Sequence, residues 1–213
     1  MKWGAMMNVN VLNHPLIDHK MASIRDKDTN TKTFRENVSE IAALITYEVT
    51  RDFPTITKQV ETPLMTTECQ VLAKPVVIVP ILRAGLGMVE GIHNIIPSAK
   101  IGHIGLYRDE VTLEPKSYFI KLPPEINLAT VILVDPMLAT GKSAAIAVDM
   151  LKAKGAKDIR FVGLVGCPQG VKYLSTQHED VKIYLAALDQ KLNEKGYIVP
   201  GLGDCGDRLF GTK

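Results

Sequence analysis

Residues 130–151 read TVILVDPMLATGKSAAIAVDML, and the pattern changes period once within them. The first five, Thr130 to Val134, are β-branched or aliphatic with no polar alternation, which predicts a strand covered on both faces in a parallel sheet. Asp135 closes that strand and residues 136–141 make a short loop. From Ser143 the apolar residues return at helical spacing, as Ile146, Ala147, Met150 and Leu151. Lys152 and Lys154 fall where a helix C-terminus favours cations, and Gly155 supplies a stop. The stretch predicts a strand, a tight loop and a helix.

A junction of this kind points the free N–H groups of a helix N-terminus at the space above the strand's carboxyl end, which makes it an anion site. Thr140, Gly141, Lys142 and Ser143 suit a phosphate, with two hydroxyls, a glycine that admits close backbone approach, and an ammonium. Asp135 does not, because a carboxylate beside a phosphate repels it; it should face hydroxyls or a metal ion. One ligand carrying both a phosphate and a polyol satisfies the whole set. An ordinary buried strand-to-helix turn is the plain alternative.

Two rival phosphate motifs can be tested by counting. A Walker A loop needs a glycine five residues before Gly141, and Pro136 stands there without an N–H to give, so a GKS-type phosphotransferase is a runner-up. The second glycine cluster, Gly85 and Gly87, would need a third glycine at position 90 for the dinucleotide fingerprint, and that residue is Glu90.

Further buried strands are predicted at 76–82, 100–107, 159–165 and 181–185, with a helix at 168–177 and another entered through Gly85 and Gly87. Strands and helices in this rhythm predict an α/β fold, a parallel doubly wound sheet of about five strands with helices on both faces. Ligands of such sheets gather above the strands' carboxyl ends, where Arg83, Arg108 and Asp135 all fall. An arginine there can meet an anion bidentately, though either could instead pair with a surface carboxylate.

Outside the sheet, Thr33 and Glu36 form a capping-box signature, followed by a helical apolar stripe (Phe34, Val38, Ile41, Ala42, Ile45, Val49). Residues 55–73 predict short β segments apart from the main sheet. Residues 109–124 are polar, aromatic and proline-punctuated, which predicts a projecting β-arm. The tail from Gly196 holds glycines at 196, 201, 203, 206 and 211, which predicts irregular backbone throughout. Its free peptide groups could read the edge of a small planar base, or the tail could be a loose terminus.

The 213 residues fit one domain, and a formal charge of +2 leaves no electrostatic footprint for nucleic acid or a membrane surface. No apolar run reaches the ~20 residues that span a bilayer. Three cysteines, Cys69, Cys167 and Cys205, are an odd number without paired spacing, which fits a reduced, cytoplasmic protein. Five scattered histidines give no metal-ligand cluster. Residues 1–7 are expected to be a short extension rather than a signal peptide, with Met6 or Met7 a candidate start.

The motif VILVDPMLATGKS resembles the phosphoribosyl-pyrophosphate (PRPP) loop of type I phosphoribosyltransferases, and its DPMLATG wording is similar to the uracil phosphoribosyltransferase family. VVIVPILRAGLGM (76–88), GLYRDEVTLEPKSYFIKLP (105–123) and GYIVPGLGDCGDRLFGTK (196–213) resemble the same family in the same order, so the resemblance runs from about His14 onward. Two departures stand out: Lys142 where the family usually has glycine, and Cys205 where it usually has alanine.

The resemblance implies transfer of the phosphoribosyl group of PRPP to uracil, giving UMP and pyrophosphate, with Mg2+ carried by PRPP and no direct protein ligand. It implies a catalytic set of Asp135, Arg83, Arg108 and Asp204. PRPP would be held by Arg83, Arg108, Asp135, Pro136, Met137, Leu138, Ala139, Thr140, Gly141, Lys142, Ser143 and Asp204. Uracil would be read by Ile198, Gly203, Asp204 and Cys205, with Asp204 near the ribose and a metal-bound water, and Tyr197 only packing. It further implies a flap made by the β-arm, a small hood from roughly 7–30 and 186–213, a homodimer or homotetramer, and GTP as a candidate effector. A PRPP sensor without catalysis is the alternative of a different class.

Overall fold

The computed structural model describes residues 8–108 and 115–212, with the side chains of Arg108 and Pro115 outside the description. The chain opens with β1 (Val9–Val11), α1 (Pro15–Arg25) and α2 (Thr31–Val49). Neither β1 nor α1 was expected: three residues carry too little periodicity, and the polar spacing around His14 and His19 hid a helix that begins on Pro15. The predicted capping box is also corrected. Asn30 is the N-cap of α2, its side chain accepting from the Thr33 N–H at 2.9 Å, so Thr33 lies inside the helix.

Next come β2 (Thr55–Glu61) and β3 (Thr66–Leu72), which pair only with each other. The first βα unit is β4 (Val76–Leu82) with α3 (Leu86–Ile95). The expected strand at 100–107 is divided into β5 (Lys100–Ile101) and β6 (His103–Arg108), and β7 (Pro115–Lys121) runs antiparallel to β6. The rest of the predicted arm, 109–114, lies outside the described residues. The central unit is β8 (Thr130–Val134), β9 (Met137–Leu138) and α4 (Lys142–Ala153). It is followed by β10 (Asp158–Gly166), α5 (Pro168–Gln177) and β11 (Lys182–Leu188).

The tail is more regular than its glycines suggested. A small β12 (Lys191–Leu192) and β13 (Ile198–Val199) pair antiparallel, and α6 (Cys205–Phe210) is capped by Asp204, which accepts from Asp207 N–H at 2.9 Å. Gly196, Gly201, Gly203 and Gly211 lie outside these elements at positive φ, while Gly206 is taken into α6.

Among the described residues nine strands join one sheet, in the order β1-β11-β10-β8-β4-β6-β7, with β5 beside β4 and β9 beside β10. That is four more than expected: β1 and β9 are too short for a periodic signature, the 100–107 strand is divided in two, and β7, expected as part of the arm, joins the sheet. Alternation along the strands divides the core in two. Val76, Ile78, Ile132 and Val134 face one layer with α1, α2 and α3. Val77, Val79, Val131 and Leu133 face the other, with α4 and α5. The sheet is mainly parallel and covered on both faces, as the sequence predicts, and β8 lies between β10 and β4 with its carboxyl end at the molecule's open edge.

Candidate active site

At the end of β8 the chain is pinned before it turns. Asp135 donates its N–H to Val162 O at 3.2 Å, and Pro136 O accepts from Leu164 and Val165 N–H at 3.1 and 3.0 Å. Leu138 sends its side chain into the core and its carbonyl to Cys167 N–H. Held in this way, the loop can only rise and re-enter as α4, which starts one residue earlier than expected, at Lys142.

Gly141 makes that entry possible. Its φ is +82°, and a Cβ there would stand 2.7 Å from Gly170 O, so a side chain would be both strained and crowded. No side chain caps the N-terminus of α4. The Lys142 N–H leans toward Thr140 Oγ1 at 3.5 Å, and the dipole of the first turn favours an anion, as in other strand-to-helix phosphate sites.

Two connected hollows lie over the strand ends. The smaller, about 170 Å³, is lined by Arg83, Ala84, Leu106, Tyr107, Asp135 and Ser143 among others. The larger, about 360 Å³, is lined by Met137 and Ala139 from the loop and by Tyr197, Ile198, Gly203, Asp204 and Cys205 from the tail. Ala84 and Asp135 line both, so Asp135 stands where the two halves meet.

Burial pushes the Asp135 carboxyl up to about 7, against the pull of a hydrogen bond from Met137 N–H at 3.3 Å. A carboxyl so poised gains from a hydroxyl donor or a cation brought beside it. Cys205 is buried at the other end. Burial, and then the Asp135 and Asp204 carboxylates, push its thiol far above the usual range, so it is a small apolar wall and not a nucleophile.

Arg83 follows β4 directly, across a cis Leu82–Arg83 peptide. Its side chain is exposed, with a guanidinium nitrogen 3.9 Å from Asp207 and the group 6.0 Å from the Phe210 ring centre. Such loose, solvated contacts leave it able to turn to a ligand. Arg108 ends β6 opposite Pro115. Thr140, Gly141 and Lys142 form the entry to α4 and, with Pro136 and Leu138, line neither hollow.

Sequence reasoning missed Ala84, Leu106, Tyr107 and Lys195, which line the crevice by their place in the fold and stand in no spacing pattern that marks them. Tyr197 was expected only to pack, yet it is about half exposed and borders the larger hollow.

A family model described as uracil phosphoribosyltransferase matches residues 11–212. A uracil phosphoribosyltransferase of Acholeplasma laidlawii (strain PG-8A) is 70% identical over 203 residues, covering 95% of this chain and 98% of its own length. One from Pediococcus pentosaceus is 61% identical over 204 residues, with 95% and 98% covered. Among solved structures, the AQ2163 protein from Aquifex aeolicus is similar with a TM-score of 0.91 at 37% identity, covering 95% of this chain and 97% of that one. A hypoxanthine-guanine phosphoribosyltransferase from Bacillus anthracis, at TM-score 0.50, 16% identity and coverage of 75% and 80%, shares the fold alone.

A mainly parallel sheet clad on both faces, with a glycine-led helix start and Asp135 over the middle strand, agrees with the class that the sequence resembles, the type I phosphoribosyltransferases. Within that class the chain belongs to the uracil phosphoribosyltransferase family. It is a pentosyltransferase that moves the 5-phosphoribosyl group of PRPP to uracil, giving UMP and pyrophosphate in pyrimidine salvage.

Proposed function

We propose a division of labour along the crevice, with the sugar at its centre, phosphates on the α4 and β4 side, and the base on the tail side. The observation that carries it is the junction of the two hollows at Asp135, the one carboxylate bordering both. The 5′-phosphate sits on Ala139 to Ser143, where backbone N–H groups, two hydroxyls and the helix dipole oppose its charge. Asp135 accepts from the ribose hydroxyls. Arg83 and Arg108 neutralise the pyrophosphate as it leaves. Uracil is read by peptide groups of Ile198, Gly203 and Cys205, with Asp204 at the ribose.

Asp135 and Asp204 border one cavity, a donor set that fits a divalent ion keeping most of its oxygens from PRPP and water. Bound Mg2+ supplies charge neutralisation of the pyrophosphate. The chain's own part is to orient the sugar, hold opposing charge and exclude water, for which the β7 arm acts as a flap. Neither a hydroxyl nor a thiol is required as a nucleophile.

The chain forms a homodimer or homotetramer. The β2–β3 hairpin supports this, since its strands pair with no other strand and its turn exposes Leu64 and Met65, 94% and 69% accessible. We read roughly 7–30 and 186–213 as a hood over the base end of a single domain. Three free cysteines support a reducing, cytoplasmic setting, and no helix among the described residues is long and apolar enough to cross a membrane. GTP as an effector rests on the family resemblance alone.

The test is an assay with PRPP and each free base in turn, with and without Mg2+. UMP and pyrophosphate should form only with uracil and the metal; PRPP binding without pyrophosphate release would favour a sensor. In the same assay Arg83→Ala should raise the KM for PRPP about tenfold or more with a smaller change for uracil. Equal changes for both substrates would remove Arg83 from the phosphate end.

A further inference from the structure

The tail loop that borders the base-end hollow is fixed from outside by a part-buried ion pair. Asp189, just past β11, is nearly enclosed, its side chain 7% accessible. Arg25, the last residue of α1, grips it with both ends of its guanidinium, Nη2 to Oδ1 at 2.7 Å and Nη1 to Oδ2 at 2.8 Å. The pair then closes on one peptide. Gly201 donates its N–H to Asp189 Oδ2 at 2.8 Å, and its carbonyl accepts from Arg25 Nη1 at 2.7 Å.

Gly201 cannot be held by a side chain of its own. Its φ is +65°, and a Cβ would stand 2.1 Å from Ile198 O, so the chain must turn back on itself here with bare backbone. The residues on either side, Ile198 before it and Gly203 to Cys205 after it, border the hollow. A second guanidinium works beside the first: Arg208 of α6 donates to Leu202 O at 2.8 Å and to Ile24 O at 2.5 Å, and stacks 4.3 Å from the Phe34 ring centre. Two arginines therefore tie the loop to the end of α1.

We infer that the Arg25–Asp189 pair is a positioning device for base recognition, setting the peptide groups of 198–203 so that they present one hydrogen-bond pattern to a planar base. This rests on the proposal that uracil is read by those peptide groups. A bidentate pair with every oxygen engaged fixes orientation far better than apolar packing does. Neither residue touches the hollow, so both act through Gly201.

The experiment measures KM for uracil and for PRPP separately in the full-length protein carrying Arg25→Met, Arg25→Lys or Asp189→Asn, with thermal melting of each. Arg25→Met should raise the uracil KM about tenfold or more while the PRPP KM changes less than about threefold, with Arg25→Lys between it and the parent. The double change Arg25→Met with Asp189→Asn should be no worse than the poorer single change, because the two act as one unit. Unchanged uracil KM in a folded variant, or equal rises for both substrates, would overturn the inference. If Arg25→Met does not fold, Arg25→Lys decides, by a selective rise in the uracil KM or its absence. Gly203→Ala separates the premise from the inference. A uracil KM that it leaves unchanged means the base lies elsewhere, whereas one that it raises while the Arg25 variants do not means only the positioning role is wrong.

Discussion

Asp135 is the residue on which sugar chemistry and folding stability meet. Its carboxyl, raised from 3.8 to about 7 by burial, keeps a proton in the folded protein that the unfolded chain has already released. Its contribution to stability is therefore intact below the unfolded value and is lost as the pH climbs through 7. Asp135→Asn should make the ligand-free protein more stable at pH 8 by roughly 1–2 kcal/mol, less than the full shift would give because the crevice admits water, and the gain should shrink toward pH 4. Melting curves at the two values check this. The same variant should keep its fold and lose most turnover. In the parent, the KM for PRPP should fall as Asp135 ionises through pH 7, a limb missing from the variant. A second residue-scale outcome concerns Lys142, which departs from the family's usual glycine. Lys142→Gly should alter the PRPP KM by less than about tenfold, about 1.4 kcal/mol, since the backbone and dipole supply most of the phosphate contact.

At the scale of elements, the phosphate loop owes its shape to the close approach of α5. A Cβ on Gly170 would lie 2.4 Å from Ala139 O and 2.5 Å from Leu138 O, both backbone atoms that cannot swing aside. Gly170→Ala should push α5 off the loop, cost about 2–4 kcal/mol in a urea melt, and raise the KM for PRPP more than that for uracil. Cys167 at the start of α5 adds to the same contact, with its thiol 3.0 Å from Ala139 O and its N–H on Leu138 O at 3.2 Å. The strand and helix of this unit were legible because β8 is an unbroken run of five β-branched or aliphatic residues and α4 keeps one helical period over twelve. The pinning was not, because it is made by carbonyls and glycines of segments some thirty residues apart.

For the whole molecule, the hairpin of β2 and β3 stands out because its strands pair only with each other and its residues are mostly exposed. Exposed apolar side chains at its tip add little to the stability of one subunit. Changing Leu64 and Met65 together to aspartate should leave the melting of a lone subunit within about 0.5 kcal/mol while lowering the sedimentation coefficient as the assembly separates. An unchanged sedimentation coefficient would show that the subunits do not associate through this arm.

The amino-acid order alone determined the α/β class, the position of the middle strand and its helix, and the candidate sugar and phosphate residues, since each depends on neighbours within one period of strand or helix. The resemblance of four separated motifs carried the family as well. It did not reveal β1 or α6, whose few residues carry little periodic signal, nor α1, hidden by its polar spacing, nor the true cap of α2 at Asn30. Tertiary structure decided which residues share a hollow: Ala84 and Tyr197 border it by position, and Asp135 meets both halves only because β8 is central. It alone brought Arg25 to Asp189 and Gly201, since residues 164 and 176 positions apart become partners only when α1 and the tail fold over the same end of the sheet.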